Sequence, residues 1–296
     1  MSSSRALTDR AATRRVLILI LVLNISVCLA KVVAGVMANS LAVLSDALHS
    51  SIDAINNIVG IVLLRMAAKE PDSDHPYGHG KIETLGAFCI AGFMLITCYE
   101  ITKQAVLRLA SGVAPQFEIT LFTFGVMGAT LLVNIFVVVY EKAMARRYSS
   151  DFLYADAVHT QSDVLLTLSV LAGLPLVLRG YVFFDAALAL VISGVIAWSG
   201  YKVLQKTVPT LLDAAAVDEE LVRQSALAIS GVVAVGNIRS RKHGGYKFVE
   251  LTLIVEENDL REAHDITEEL ESKIVEQCGP ASITIHIEPA SAVPSR

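Results

Sequence analysis

Six long apolar stretches occupy the first 206 residues, and short polar connections separate them. A helix needs about 20 mostly apolar residues to cross a bilayer, so each stretch predicts one membrane-spanning helix. The stretches run over 14–37, 41–67, 82–108, 116–144, 155–178 and 183–206. The first lacks a small-residue cleavage site after a short apolar core, so we expect it to remain in the mature protein.

The pattern changes after residue 208 to that of a small folded domain. Helical spacing at two segments and strand alternation at three others predict the order α-β-β-α-β. The helices are expected at 218–230 and 260–278, and the strands at 232–241, 246–256 and 282–289, with a turn at 242–245. The predicted fold class is an all-α six-helix transmembrane domain followed by a cytosolic α+β domain. The predicted domains are a cytosolic N-terminal segment (1–13), the transmembrane domain (14–208), the α+β domain (209–290) and a tail (291–296).

Composition supports a membrane protein with an acidic soluble part. The chain is 54% hydrophobic and 18% charged, with a mean hydropathy of +0.57, values that are unusual for a soluble protein. Residues 207–296 hold 8 Lys and Arg against 15 Asp and Glu, a net charge of −7. An acidic domain repels phosphate, so no nucleic-acid partner is expected. The four cysteines show no CxxC spacing, so no disulfide framework is expected either.

Basic residues alternate between the two sides of the membrane. They concentrate before the first stretch, after the second, after the fourth and at the end of the sixth: Arg5, Arg10, Arg14, Arg15, Arg65, Lys69, Lys81, Lys142, Arg146, Arg147, Lys202 and Lys206. The opposite connections hold only Arg108 and Arg179. By the positive-inside rule, we expect both termini to face the cytoplasm. The predicted location is the cell inner (plasma) membrane.

Two of the apolar stretches contain ionisable residues in the same arrangement, D-x-x-H-x-x-x-D. The residues are Asp46, His49 and Asp53 in the second stretch and Asp156, His159 and Asp163 in the fifth. A charge at the bilayer centre costs about 2.5–3.5 kcal/mol on insertion scales. A His–Asp hydrogen bond that stabilises one helix would explain one copy, but it does not explain two.

The repeated pattern predicts a metal site between two helices. His49 and Asp53 lie on one face of their helix, as do His159 and Asp163, because residues four apart stack. Two imidazoles and two carboxylates make a four-ligand site of a type that suits Zn²⁺. We expect Asp46 and Asp156 to orient the histidines.

A third polar cluster lies in the second connection, "PDSDHPYGHGKIE" at 71–83. It holds Asp72, His75 and His79, a possible metal site. Proline and glycine make it a loop, so helical facing does not apply. Spacing alone leaves open a polar loop with incidental histidines.

The sequence resembles the cation diffusion facilitator family over roughly 12–290. Four motifs carry the resemblance: "SLAVLSDALHSSIDAINN", "DHPYGHGKIETLGA", "ADAVHTQSDVLLTLSVL" and "PTLLDAA". The resemblance implies a homodimeric divalent-metal/proton antiporter that exports metal from the cytoplasm by alternating access. It implies that the four residues of the two-helix site carry the metal, and histidine at position 49 is the variant usual in zinc carriers. It also implies metal at the loop cluster and a charge pair between Lys81 and Asp213.

The tail matches the family less completely. His264, His286 and Glu288 occupy positions that the resemblance assigns to a metal site, but Gly236 and Thr252 stand where histidines are expected. The resemblance therefore implies one weaker metal per tail, or none. His243, in the "RKHGG" turn, has no matching role and is interpreted as a solvated loop residue.

The residues themselves favour proton coupling. Metal needs neutral imidazole and ionised carboxylate, so metal and protons compete for one site. Small residues at Gly35, Gly60 and 125–130 are expected at close helix contacts, where helices could rock.

Several alternatives remain open at this point. They are Fe²⁺, Cd²⁺, Co²⁺ or Mn²⁺ as the main substrate, and a membrane metal sensor that does not transport. Seven histidines are too few for a membrane di-metal enzyme, and 6% aromatic residues are too few for the cages that bind organic cations. We therefore expect no enzyme activity and no organic cofactor.

Overall fold

The computed structural model describes residues 2–37, 41–111, 121–178, 182–243, 246–256 and 259–292. The chain forms two compact units, one over Thr8–Val208 and one that contains Pro209–Arg296. This boundary coincides with the change of pattern after residue 208, because the end of the long apolar helices is also the end of the first hydrophobic core.

The first unit consists of six long helices, as the apolar stretches predict. They are α1 (Ser2–Met37), α2 (Leu41–Ala67), α3 (Lys81–Ser111), α4 (Leu121–Arg147), α5 (Asp151–Leu178) and α6 (Val182–Leu211). Among the described residues, all except α5 contain a segment long and apolar enough to cross a membrane. The first half of α5 is the polar half that holds the second D-x-x-H-x-x-x-D motif.

Helix α1 differs from its expected bounds. It begins at Ser2, so most of the segment expected to precede the first span is helical. Its apolar span starts at Ala12, close to the predicted position 14. Helix α4 begins at Leu121, and the earlier part of its expected span lies outside the described residues.

The buried Phe152 of α5 packs closely against two glycines. A Cβ atom at Gly60 of α2 would overlap Phe152 Cε1 and Cζ, and one at Gly86 of α3 would lie 2.9 Å from Phe152 Cδ2. Glycine therefore lets two helices, α2 and α3, approach the ring that α5 carries, as small residues do at membrane helix contacts. Gly35 is similarly close to Leu44, as expected.

The glycines at 125–130 do not make such contacts. A Cβ atom at Gly125 or Gly128 would meet no atom within 4 Å in the described part of the chain. The expectation of a close helix contact is therefore wrong at Gly125 and Gly128, as far as the described residues of this subunit show.

A buried polar cluster joins the first turns of α3 and α5. Ser150 donates a hydrogen bond to Glu83, and Thr84 donates to Asp151 Oδ2 at 3.3 Å. Lys206 of α6 lies 3.3 Å from Asp151 Oδ1. These bonds satisfy polar groups that would otherwise be buried without partners, and they fix where α5 starts relative to α3.

The second unit has the expected order α-β-β-α-β. Its elements are α7 (Glu219–Leu227), β1 (Val232–His243), β2 (Tyr246–Val255), α8 (Leu260–Cys278), β3 (Ala281–Pro289) and a short 3₁₀ turn (Ala290–Ala292). Strand β2 lies in the centre, antiparallel to β1 and parallel to β3. Each helix begins at an aspartate whose side chain accepts a hydrogen bond from the first turn, Asp218 for α7 and Asp259 for α8.

Both helices pack on one face of the sheet. Val249, Leu251 and Leu253 of β2 are buried against Leu270 and Ile274 of α8. Side chains alternate across a strand, so the residues between these three point to the opposite face. On that face Gly236, Thr252 and His286 stand in one row across the three strands.

Candidate metal centre

Helices α2 and α5 bring three of the four predicted ligands together. His159 Nε2 lies 3.5 Å from Asp53 Oδ1 and 3.8 Å from Asp163 Oδ2. One ligand atom from each residue lies within 4.8 Å of the other two. Ligands at about 2.0–2.2 Å from a tetrahedral Zn²⁺ are separated by about 3.3–3.6 Å along the tetrahedron edge. The three residues are therefore spaced almost as a metal would require.

Asp53 has a buried carboxylate oxygen that a cation could satisfy. Its Oδ1 atom is buried and accepts no hydrogen bond from the described part of the chain. A buried carboxylate oxygen without a donor costs about 1–3 kcal/mol or more. A bound divalent cation would remove that cost, because it supplies the missing positive charge.

The helix packing that forms the cluster is antiparallel. Asp53 of α2 faces His159 of α5, and two turns away Gly60 of α2 faces Phe152 of α5. Seven residues are about two helical turns, so the two contacts lie on the same pair of facing stripes. The close approach at Gly60 thus determines how near α2 comes to α5 at the metal site.

Three residues of the two motifs remain, and the structure describes the side chain of only one of them, Asp156. Residues 46 and 49 belong to α2, but the side chains of Asp46 and His49 lie outside the described residues. Their roles as orienting partner and fourth ligand stay predictions. Asp156 is buried one turn before His159, and its carboxylate interacts electrostatically with His159, Asp53 and Asp163. This position agrees with an orienting role for Asp156.

The loop between α2 and α3 forms a second cluster. Asp72 Oδ1 lies 3.4 Å from His75 Nδ1, and Asp72 Oδ2 lies 3.5 Å from His79 Nε2. The two imidazole rings are 4.3 Å apart. His79 is buried and its Nδ1 atom has no hydrogen-bond partner among the described residues. All three side chains therefore offer ligand atoms to one point.

Backbone amides hold Asp72 in this loop. Its Oδ1 atom accepts hydrogen bonds from the backbone N–H groups of His75, at 2.8 Å, and of Asp74, at 3.2 Å. The bond from His75 stabilises the ionised carboxylate and lowers the pKa of Asp72 below its usual value. Asp72 therefore stays ionised, and ready to bind metal, at a pH where an ordinary aspartate begins to protonate.

The tail residues are not gathered in one place. His286 Nε2 lies 3.4 Å from Glu288 Oε1 on β3, and His264 Nε2 lies 3.5 Å from Glu268 Oε1 on α8. His286 is on the sheet face opposite α8, so the sheet separates it from His264. Over the described residues, no three metal-binding side chains of the second unit converge. The tail site of His264, His286 and Glu288 stays a prediction.

The residues matched by two protein-family models cover most of the chain. The model described as the cation efflux transmembrane domain matches residues 17–212. The model described as the cytoplasmic domain of cation efflux proteins matches residues 215–290. This chain belongs to the cation efflux family. It is therefore a multi-pass membrane transporter that exports metal cations, and its cytoplasmic domain is of the type named for dimerisation.

Relatives of this cation efflux protein match along nearly their whole length. An uncharacterised transporter of Methanocaldococcus jannaschii is 33% identical over 84% of this chain and 89% of its own. The manganese efflux system protein MneP of Bacillus subtilis is 26% identical over 94% and 96%. The cation-efflux pump FieF of Pectobacterium carotovorum is 28% identical over 89% and 88%.

Sequence reasoning missed several buried charged residues of this cation efflux protein, among them Lys31 and Glu141. Lys31 of α1 donates a hydrogen bond to Ser50 Oγ of α2 at 2.9 Å. Glu141 of α4 is 0% exposed. A signal for Lys31 was present, since it is an isolated charge inside an apolar stretch, and such charges are usually functional. They were overlooked because neither belongs to a repeated motif.

Lys81 and Asp213 are placed in different units. Lys81 is the first residue of α3, and Asp213 follows α6 with a positive φ of 55°. Their charge pair stays a prediction.

Proposed function

We propose that this transporter exchanges cytoplasmic Zn²⁺ for external protons at the Asp53–His159–Asp163 cluster. The observation that carries the proposal is the convergence of one imidazole and two carboxylates from two facing membrane helices. His49, from the same turn of α2 as Asp53, completes the ligand set in this proposal.

Proton exchange follows from the ligand types. Imidazole binds a metal only when neutral, and carboxylates bind only when ionised, so metal entry displaces protons. If the cluster opens in turn to each side of the membrane, an inward proton gradient drives metal outward. In this proposal the protein is a homodimer of the plasma membrane with both termini in the cytoplasm, as the basic connections indicate.

Zn²⁺ is preferred over Mn²⁺ because of the imidazole ligands. Imidazole suits Zn²⁺, whereas sites made of carboxylate, carbonyl and water suit Mn²⁺. The relative MneP is named for manganese, so Mn²⁺ is the alternative substrate to test first, followed by Fe²⁺, Co²⁺ and Cd²⁺.

Zn²⁺ uptake into proteoliposomes tests this function. With an acidic lumen, purified full-length protein is expected to import Zn²⁺ while the lumen becomes less acidic, because protons leave as metal enters. Removing the pH gradient should slow uptake, and reversing it should drive loaded Zn²⁺ out. If the rate of Zn²⁺ uptake does not depend on the pH on either side of the liposome membrane, antiport would be contradicted. Transport of Mn²⁺ but not Zn²⁺ would contradict Zn²⁺ as the substrate. If no metal is transported, the alternative of a membrane metal sensor without transport activity would be favoured.

We propose that the loop cluster binds a second metal ion. Replacing Asp72 by alanine removes one ligand and the acceptor of two loop amides. The variant is expected to bind one Zn²⁺ fewer per chain while its transport-site metal is retained. Equilibrium binding to the full-length protein in detergent measures the stoichiometry. Because protons compete with the metal for its ligands, acidification should release the loop metal.

The neighbouring Ser73→Ala substitution is the matched control. Ser73 is exposed and its hydroxyl contacts only Asp74, at 3.4 Å, among the bonds described. It should leave the stoichiometry unchanged. An Asp72→Ala protein that binds as many metal ions as the wild type would show that the loop is not a site.

A further inference from the structure

The end of the hairpin formed by β1 and β2 is a basic patch in an acidic domain. Residues 239–248, here called the hairpin end, read "RSRKHGGYKF" and hold four cations and no carboxylate. The cations are Arg239, Arg241, Lys242 and Lys247. They are half of the 8 Lys and Arg in residues 207–296, a region with a net charge of −7. The hairpin end therefore has the opposite charge to the domain that carries it.

Strand register places these cations on both faces of the hairpin. Arg241 is opposite Phe248, and Lys242 is opposite Lys247. Opposed side chains of antiparallel strands lie on the same face, and successive pairs alternate between faces. Two like charges directly opposite each other are destabilising. Lys247 reduces this cost by donating to the backbone oxygen of Cys278 at 2.7 Å, and an anionic partner would reduce it further.

Aromatic rings accompany the cations on one of these faces. The guanidinium of Arg241 lies 5.6 Å from the centre of the Phe248 ring. The rings of His243 and Tyr246 lie 6.1 Å and 5.7 Å from the same ring. All four side chains are only half-buried. Amphipathic rings beside basic residues are typical of protein surfaces that lie at the level of lipid headgroups.

The hairpin end is tied to the segment that follows the last membrane helix. The apolar segment of α6 ends at Leu211. Ser240 Oγ accepts hydrogen bonds from the backbone N–H groups of Ala216, at 3.0 Å, and Val217, at 3.2 Å. Five residues of extended chain span at most about 18 Å. The chain between Leu211 and Ala216 therefore keeps the hairpin end close to the end of α6.

Two carboxylates beside the hairpin end do not cancel its charge. Asp213 and Glu250 line one small cavity together with Arg239 and Arg241, and Glu250 is opposite Arg239 in the strand register. Four cations against these two acidic residues leave a net charge of about +2, since histidine is counted as neutral. The patch remains positive where the chain leaves the membrane domain.

We propose that the hairpin end docks on anionic lipid headgroups at the membrane surface from which α6 emerges. Each Lys or Arg beside an anionic membrane strengthens binding about fivefold. This attraction falls off over about 8 Å at physiological salt, so it acts on a basic segment that is held near the membrane. Docking would restrict the motion of the cytoplasmic domain relative to the bilayer. The proposal depends neither on the transported metal nor on antiport.

Hydrogen exchange of the full-length protein in lipid nanodiscs tests the docking. Discs of neutral phosphatidylcholine are compared with discs that contain an increasing fraction of phosphatidylglycerol. We expect peptides from 239–248 to exchange more slowly as the anionic fraction rises. High salt should reverse this protection, because it screens the attraction between the hairpin and the headgroups.

Two pairs of substitutions with the same change in net charge locate the effect. Arg239→Gln with Arg241→Gln should require about 25-fold more phosphatidylglycerol, two charges at about fivefold each, so protection disappears at the fractions that give it in wild type. Arg261→Gln with Lys273→Gln removes two cations from α8 instead and should leave the protection unchanged. Equal loss of protection in both pairs would overturn the proposal.

The conservative pair Arg239→Lys with Arg241→Lys separates charge from folding. It keeps both cations, so protection by phosphatidylglycerol should be retained, and thermal unfolding in detergent shows whether either pair has lost stability. Loss of protection in the lysine pair as large as in the glutamine pair would contradict docking by charge.

Three further outcomes would overturn the docking. Exchange that does not respond to phosphatidylglycerol would show that the hairpin end does not meet the lipid surface. Equally strong protection in neutral discs would show that protein, such as a second copy of this chain, covers it. Protection by inorganic phosphate in neutral discs would show a site for soluble anions. All arms are measured without metal, so failure of the proposed Zn²⁺ transport leaves this result unaffected.

Discussion

Replacing Asp163 by alanine is expected to abolish Zn²⁺ uptake into proteoliposomes. The substitution removes a carboxylate whose Oδ2 atom lies 3.8 Å from His159 Nε2, and therefore one of the proposed ligands that converge between α2 and α5. Loss of a supporting partner alone costs about 10- to 100-fold in metal affinity, so loss of a ligand should cost on the order of 100-fold or more. Initial uptake rates under one fixed pH gradient measure the effect.

Asp163→Asn separates charge from shape in the same experiment. Asparagine has nearly the same size, but its neutral amide does not balance the charge of a divalent cation, so we expect its uptake to be almost as low. Ser169→Ala is the matched control on α5, because its hydroxyl bonds only to Leu166 of its own helix among the bonds described. Near wild-type uptake by Asp163→Ala would show that transport uses another site.

Replacing Gly60 by alanine is expected to impair transport although Gly60 binds no metal. The new Cβ atom would overlap the buried Phe152 ring, and α2 would have to move away from α5. Such overpacking typically costs about 1–3 kcal/mol in the free energy of unfolding. Because Asp53 and His159 lie on the same facing stripes two turns away, the gap between the ligands should widen. Thermal unfolding in detergent and Zn²⁺ uptake measure the two consequences.

The same substitution elsewhere provides the control for Gly60. A Cβ atom at Gly92 of α3 would meet nothing within 4 Å among the described residues, so Gly92→Ala should leave stability and uptake close to wild type. Adding Phe152→Leu to Gly60→Ala should restore part of both, since the smaller side chain leaves room for the new methyl group. A Gly60→Ala protein as stable and active as wild type would show that α2 and α5 are not held by this contact.

The elements of this protein were predictable because they depend on local patterns. A run of about 20 apolar residues is long enough to span a bilayer wherever it packs, and strand alternation in the tail requires only one buried face. The bounds of the helices and strands agree with the pattern within a few residues, apart from α1, which begins at Ser2. Polar residues such as Ser2 and Arg5 carry no apolar signal, yet they continue the helix.

The candidate site was partly predictable for a similar reason. Asp53, His159 and Asp163 were recognisable because ionisable residues are costly in a membrane helix and because the same spacing occurs twice. The spacing indicates which residues share a face of one helix. It does not indicate which helix that face meets, and the pairing of α2 with α5 came from the repeat of the motif and not from packing.

The sequence by itself determined the six long helices, the α-β-β-α-β tail and the spacing of the ionisable residues, since each depends on residues close together in the chain. Only the tertiary structure decided that Glu141 meets Thr160, that Phe152 meets Gly60, and that Gly236, Thr252 and His286 form one row. These contacts join segments far apart in the chain. They depend on how helices approach and how strands register, and packing of the whole core sets both.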